Sequence, residues 1–157
     1  SRPSHYYSHS ATRGLKSMAS IEQLRSKYDA IEEKFDVLHE SEINTDCLLV
    51  FDYEYKGSNT DIVIETEEFS AVCPWNGLPD FGLLTLEYVP ESLCVELKSL
   101  KYYLMSFRSV GIVQEHAANR ILKDLVGVCN PVNMKVTLDY QPRGGFHTVV
   151  IVSHPSS

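Results

Sequence analysis

The chain has 157 residues, of which 43% are hydrophobic and 22% charged, enough for one domain around a single core. No apolar run approaches the roughly 18 residues of a membrane-spanning helix. A net charge of −7 argues against nucleic acid as the main partner, since phosphate binding needs a basic footprint.

Cys47, Cys73, Cys94 and Cys129 lie far apart, with no C-x-x-C pair and no metal-ligand spacing. They read as reduced thiols of a cytoplasmic protein that binds no metal. Residues 1–20 carry Arg2, Arg13, Lys16, His5 and His9 and no acid before Glu22. That composition suits a poorly ordered leader, either a targeting remnant or a segment placed ahead of Met18. Residues 21–157 then form the one folded domain, with 21–45 as a helical extension.

Ile21, Leu24, Tyr28, Ile31, Phe35 and Leu38 recur every three or four residues, which predicts an amphipathic helix over 21–38. "CLLVFDYEY" (47–55), the turn "KGSN" and "DIVIET" (61–66) together predict a β-hairpin. "AVCPWNGLPDFG" (71–82) holds Pro74, Asn76, Gly77, Pro79 and Gly82, so it reads as a loop entered from a strand end at Ala71 and Val72. "LLTLEYV" (83–89) is strand-like.

A helix over 96–108 is marked by the stripe Leu97, Leu100, Leu104 and Phe107. After the break at Gly111 a second helix runs from about Gln114 to Val128, with Ala118, Ile121, Leu122, Leu125 and Val128 inward. "MKVTLDY" (134–140) and "FHTVVIV" (146–152) flank the turn "QPRGG" as the last strands. The order predicts an α+β fold with helices on one face of an antiparallel sheet.

Several residues in this frame are able to do chemistry, although each has a simpler role. Cys73 is an ordinary buried thiol unless its strand–loop junction faces a cavity, and Asp80 beside Pro and Gly is ordinarily a turn residue. Lys98 and Lys101 are neighbours on the helix surface, either solvated charges or a clamp for phosphates. Glu115 is either a first-turn acid favoured by the helix dipole or an acceptor of two parallel N–H bonds from a guanine-like edge. Arg143 is either a hairpin-tip charge or a phosphate contact, with Gly144 and Gly145 letting the backbone come close.

Their spacing is more specific than any one of them. "ELKSLKYY" (96–103) meets each fixed position of the pattern E-[SL]-K-[SA]-x-K-[LY]-[YFW]. That pattern is the signature of the QueF family, the nitrile reductases that act on 7-cyano-7-deazaguanine in queuosine biosynthesis for tRNA. "CPWNGLPDFG" resembles the family's C-P-x-x-x-x-P-D-F segment, "SFRSVGIVQE" (106–115) its Y/F-R-N-x-G-x-F-H-E block, and "PRGG" (142–145) its late turn. The resemblance runs from about Asp61 to Gly145. Gln114 stands where the family pattern has histidine, and Ser109 where it has asparagine.

The resemblance implies a tunnelling fold, a four-stranded antiparallel sheet with two helices, assembled into pentameric rings or a decamer with active sites between protomers. It implies Cys73 as the nucleophile that forms a thioimide with the nitrile and Asp80 as proton donor. Val95, Glu96, Leu97, Gln114 and Glu115 would contact the base. Lys98, Ser99, Lys101, Arg143 and Gly144 would bind NADPH, whose hydrides complete the reduction. A QueF-like amidinotransferase, which adds an amine to the same nitrile, and a non-catalytic purine-binding protein of the same fold stand as alternatives.

Overall fold

A computed structural model describes residues 20–31 and 36–156. The leader residues 1–19 and Phe35 of the expected first helix lie outside them. Residues 1–33 and 34–157 belong to separate compact units. In the first, helix α1 spans Ile21–Ile31. Its start is a reciprocal cap. The Ser20 backbone N–H donates to Gln23 Oε1 at 2.9 Å, and the Gln23 N–H donates to Ser20 Oγ at 3.2 Å. The expected extension of this helix to Leu38 is not observed. Leu38 is extended and bridges Val110 in parallel.

In the second unit the strands are β1 (Val50–Asp52), β2 (Ile62–Val72), β3 (Pro79–Val89), β4 (Leu93–Val95), β5 (Asn133–Tyr140) and β6 (Val149–His154). The helices are α2 (Leu97–Met105) and α3 (Gln114–Cys129). β2, β3, β5 and β6 form a four-stranded antiparallel sheet in the order β2-β3-β5-β6, and β1 pairs β4 in a separate two-stranded ribbon. This corrects the expected hairpin of 47–55 with 61–66. The partner of β1 is β4, with Val50 opposite Val95, and the partner of β2 is β3. β4 is only three residues long, too short for an alternating pattern to show in the sequence.

Strand alternation builds the core. Leu84, Leu86 and Tyr88 of β3 and Met134, Val136, Leu138 and Tyr140 of β5 are buried on the helix-bearing face. Leu100, Tyr103, Leu104 and Phe107 meet them from the α2 side, and Ala117, Ala118, Ile121, Leu125 and Cys129 from α3. Leu97, expected in the inward stripe, is 58% exposed, while Tyr103 is fully buried in its stead. The Tyr103 hydroxyl donates to Asp124 Oδ2 at 2.5 Å, which gives that buried oxygen the partner it requires. Phe69, Phe107, Tyr103 and Tyr140 interlock edge-on, with ring centroids 5.4–6.4 Å apart.

Two features of this frame position the site. β2 and β3 extend beyond the expected strands until Ala71 opposes Asp80 and Val72 opposes Pro79. Half of the supposed loop 71–82 is therefore paired strand, closed by the turn at 73–78. Past α2, the segment Val110–Ile112 lies beside the end of β2. The Val72 N–H donates to Val110 O at 3.1 Å and the Ile112 N–H to Val72 O at 3.2 Å, while the Gly111 N–H donates to Leu38 O at 2.9 Å. This stitch delivers the first residue of α3 to the turn that carries Cys73.

Candidate active site

The Cys73 turn is held by its own backbone. The Cys73 N–H donates to Leu78 O at 2.9 Å, and the Gly77 N–H donates to Cys73 O at 2.8 Å. Gly77 sits at φ 71°, where a side chain would be strained. The thiol is buried at 3% exposure. Burial alone would raise its pKa. The backbone N–H groups of Asn76 and Trp75, together with a hydrogen bond and positive charge from Arg143, outweigh that and lower it below the ordinary value. Cys129, by contrast, is pushed up to about 11, chiefly by burial, and is an inert core thiol.

Asp80 is the second residue of β3 and takes the inward position of the alternation that continues through Leu84, Leu86 and Tyr88. A carboxylate therefore occupies the end of an apolar stripe, 6% exposed. Such a group needs partners, and it has two. Arg143 Nη1 donates to Asp80 Oδ1 at 2.8 Å and Gln114 Nε2 donates to the same oxygen at 3.3 Å. Arg143 reaches in from the tip of the β5–β6 hairpin, where Arg143 and Phe146 exchange backbone hydrogen bonds of 2.9 and 3.0 Å. Gly144 and Gly145, at φ 59° and 81°, make that tight reversal.

Gln114 is the first residue of α3, and the buried Tyr140 hydroxyl anchors it by donating to Gln114 O at 3.0 Å. Burial, then Asp80 and Glu115, raise the pKa of Tyr140. One end of the sheet thus gathers Cys73, Asp80, Gln114, Glu115 and Arg143, with Tyr140 beneath them. Sequence reasoning missed Tyr140 and the turn amides of Trp75 and Asn76. It also overlooked that Arg143 joins the thiol to the carboxylate. The alternation of β3 was the available signal, because it turns Asp80 inward.

The other candidates lie elsewhere. Val95 follows the far end of β3, where its N–H donates to the Tyr88 hydroxyl at 3.1 Å. Tyr88 opposes Ile62 at the start of β2, and the Cys73 turn follows Val72 at its end. A strand of 11 residues separates the two ends by roughly 30 Å. Glu96 caps α2, accepting the N–H groups of Lys98 at 2.9 Å and Ser99 at 2.7 Å. Those bonds, Ser99's first, lower its pKa. The Ser99 hydroxyl works internally, donating to Glu96 O at 2.8 Å and accepting the Leu49 N–H at 2.9 Å. Lys98 and Lys101 are exposed, Lys101 in a loose 3.7 Å pair with exposed Glu68. One chain does not bring this segment to Cys73.

Comparison with known proteins settles the family. The model of the QueF-like protein family matches residues 79–157. The chain is 50% identical over 123 residues to the NADPH-dependent 7-cyano-7-deazaguanine reductase of Caldicellulosiruptor bescii, covering 78% of this chain and 94% of that protein. The chain belongs to the QueF family. A protein of the same name from Chlorobium luteolum is 48% identical, over 71% of this chain and 97% of its own length. Among solved structures, the apo archaeosine synthase QueF-Like shares the fold. Its TM-score is 0.59 at 23% identity, covering 64% of this chain and 98% of that one. The four-stranded antiparallel sheet and two packed helices expected from the QueF motifs are thus observed.

Proposed function

We propose that this QueF-family chain reduces the nitrile of 7-cyano-7-deazaguanine to the aminomethyl group at the expense of NADPH, with Cys73 as nucleophile. Identity near one half to reductases of that name supports the reaction. The observation that carries the residue assignment is the convergence of a thiol of lowered pKa and a buried carboxylate on one guanidinium.

In this reading Cys73 Sγ adds to the nitrile carbon, a C–S bond forms, and one π pair moves onto nitrogen. The nitrogen takes a proton through Asp80. Cys73 reacts as the thiolate, so the proton that Asp80 relays to the nitrogen is taken up from solvent, which balances the step. NADPH, bound twice in turn, would supply two hydrides with two protons; the C–S bond breaks after the first, which returns the Cys73 sulfur and leaves an imine that takes the second. Glu115, exposed on the first turn of α3, accepts the N–H edge of the base.

NADPH fits the cationic residues in part. Lys98 and Lys101 are adjacent and exposed, and the Glu68 pair is easily displaced. A Cβ built on Gly144 would meet nothing within 4 Å, so a phosphate has room to approach that backbone. Ser99 would serve only by holding the helix start. The roughly 30 Å between the Val95–Leu97 segment and Cys73 favours sites completed by a neighbouring protomer in a cytoplasmic pentamer or decamer.

The test is to incubate the protein with the nitrile base, follow the intact mass, and then add NADPH and follow its absorbance. Reduction predicts a covalent mass increase that NADPH then discharges with loss of its absorbance. An adduct without NADPH oxidation would point to amine transfer, and neither signal would reject both chemistries.

A further inference from the structure

We infer that Arg143 is a positioning residue for the nucleophile, its guanidinium standing between Cys73 and Asp80 so that a thiolate and a carboxylate can share one buried site. The inference deepens the reading of Cys73 as nucleophile. It also departs from the phosphate-binding role that the family resemblance implies for this arginine.

The geometry is asymmetric. Arg143 Nη1 is committed to Asp80 Oδ1 at 2.8 Å, and the carboxylate side chain is 5% exposed while the arginine is 45% exposed. An arginine waiting for a phosphate would keep its fork free. This one directs an N–H at a buried acid, and its charge favours ionisation of the neighbouring thiol. The two-glycine hairpin tip, closed by paired Arg143–Phe146 backbone bonds, fixes where the arginine departs from the sheet.

Charge counting explains why such a residue is needed. An ionised Cys73 beside the Asp80 carboxylate places two negative charges in one buried place, which opposes ionisation of the thiol. A single guanidinium has donors enough to face both. The other groups at this end of the sheet cannot replace it. The thiol's own turn offers the neutral Trp75 and Asn76 N–H groups, while α3 brings anionic Glu115 and the neutral Gln114 amide. β5 brings Tyr140, and the adjoining Val37 and Val110–Ile112 carry no charge.

The test is the pH dependence of Cys73 alkylation by iodoacetamide, located by peptide mass so that the partly exposed Cys47 does not interfere. It needs neither nitrile nor NADPH. A chain that alkylates as described but reduces nothing would lose the proposed function and keep this inference. Arg143→Gln should move the alkylation midpoint upward by about one pH unit, an about tenfold loss of rate near neutrality. Arg143→Lys should recover most of it. Adding Asp80→Asn to Arg143→Gln should bring the midpoint back down, because the opposing anion is gone. A midpoint unmoved by Arg143→Gln, with only the KM for NADPH raised, would overturn the inference and leave a phosphate contact. If Arg143→Gln does not fold, the isosteric Asp80→Asn decides: its midpoint must fall below wild type, and an unchanged or higher one overturns the proposal.

Discussion

At the scale of single residues, Cys73 gains its character from its surroundings. Four cysteines are present, and what separates Cys73 from Cys129 is the pair of turn amides and one arginine, set against simple burial. Replacing Cys73 by Ala should abolish the covalent mass increase with the nitrile base while leaving the melting curve nearly unchanged, since little volume is lost. A persistent adduct would move the nucleophile elsewhere.

Gln114 offers a sharper case, because the family pattern has histidine there. Its amide lies 3.3 Å from Asp80 Oδ1, a long bond that orients the carboxylate without transferring a proton. Gln114→Ala should therefore lower turnover only modestly, by about fivefold, since Arg143 still holds Asp80. Gln114→His should preserve or raise turnover and add a new limb to the pH–rate profile near the histidine range, about pH 6.5. A flat profile in that variant would show that position 114 does not communicate with the reacting atoms.

Among the elements, the segment between the helices carries the site more than either helix does. Gly111 is wedged in place. A Cβ there would collide with the Val37 side chain and lie 3.2 Å from the Pro74 Cα. Gly111→Ala should cost about 1–3 kcal/mol of stability, read as a shifted denaturation midpoint, and should slow Cys73 alkylation because Pro74 belongs to the thiol's turn. Phe107→Ala, which empties the centre of the aromatic cluster, should cost about 3–5 kcal/mol without changing alkylation in the protein that remains folded.

The elements also show what was legible in the sequence. α2 and α3 carry strong 3.6-residue periodicity over a long span, and both lie close to where it places them. β1 and β4 are three residues each and pair across more than forty residues of chain, a partnership that local patterns cannot express. The Cys73 segment has the prolines and glycines that mark turns, which points to a loop. The ladder nonetheless runs through Pro79, the first residue of β3, where a missing N–H is tolerated. The motif residues were legible. Their distribution between two ends of one sheet was not, since spacing along the chain carries no information about which end a residue reaches.

For the whole molecule, the decisive fact is that β2 and β6 are both edges of the four-stranded sheet, and edges invite partners. If the site is shared, an inactive protomer can supply the half that its neighbour lacks. Cys73→Ala removes the nucleophile. Leu97→Asp alters the distant segment at an exposed first-turn position, where an acid suits the helix dipole and the fold is kept. Each variant alone should be inactive in NADPH oxidation. After the two are dissociated, mixed in equal amounts and reassembled, about one site in four should combine an intact thiol with an intact Leu97 from different chains. Activity returning toward that fraction requires the two regions to meet across an interface. Mixtures that stay inactive, although mass measurement shows mixed assemblies, would mean that each chain builds its site alone, and the roughly 30 Å along β2 would then have to be closed within one protomer.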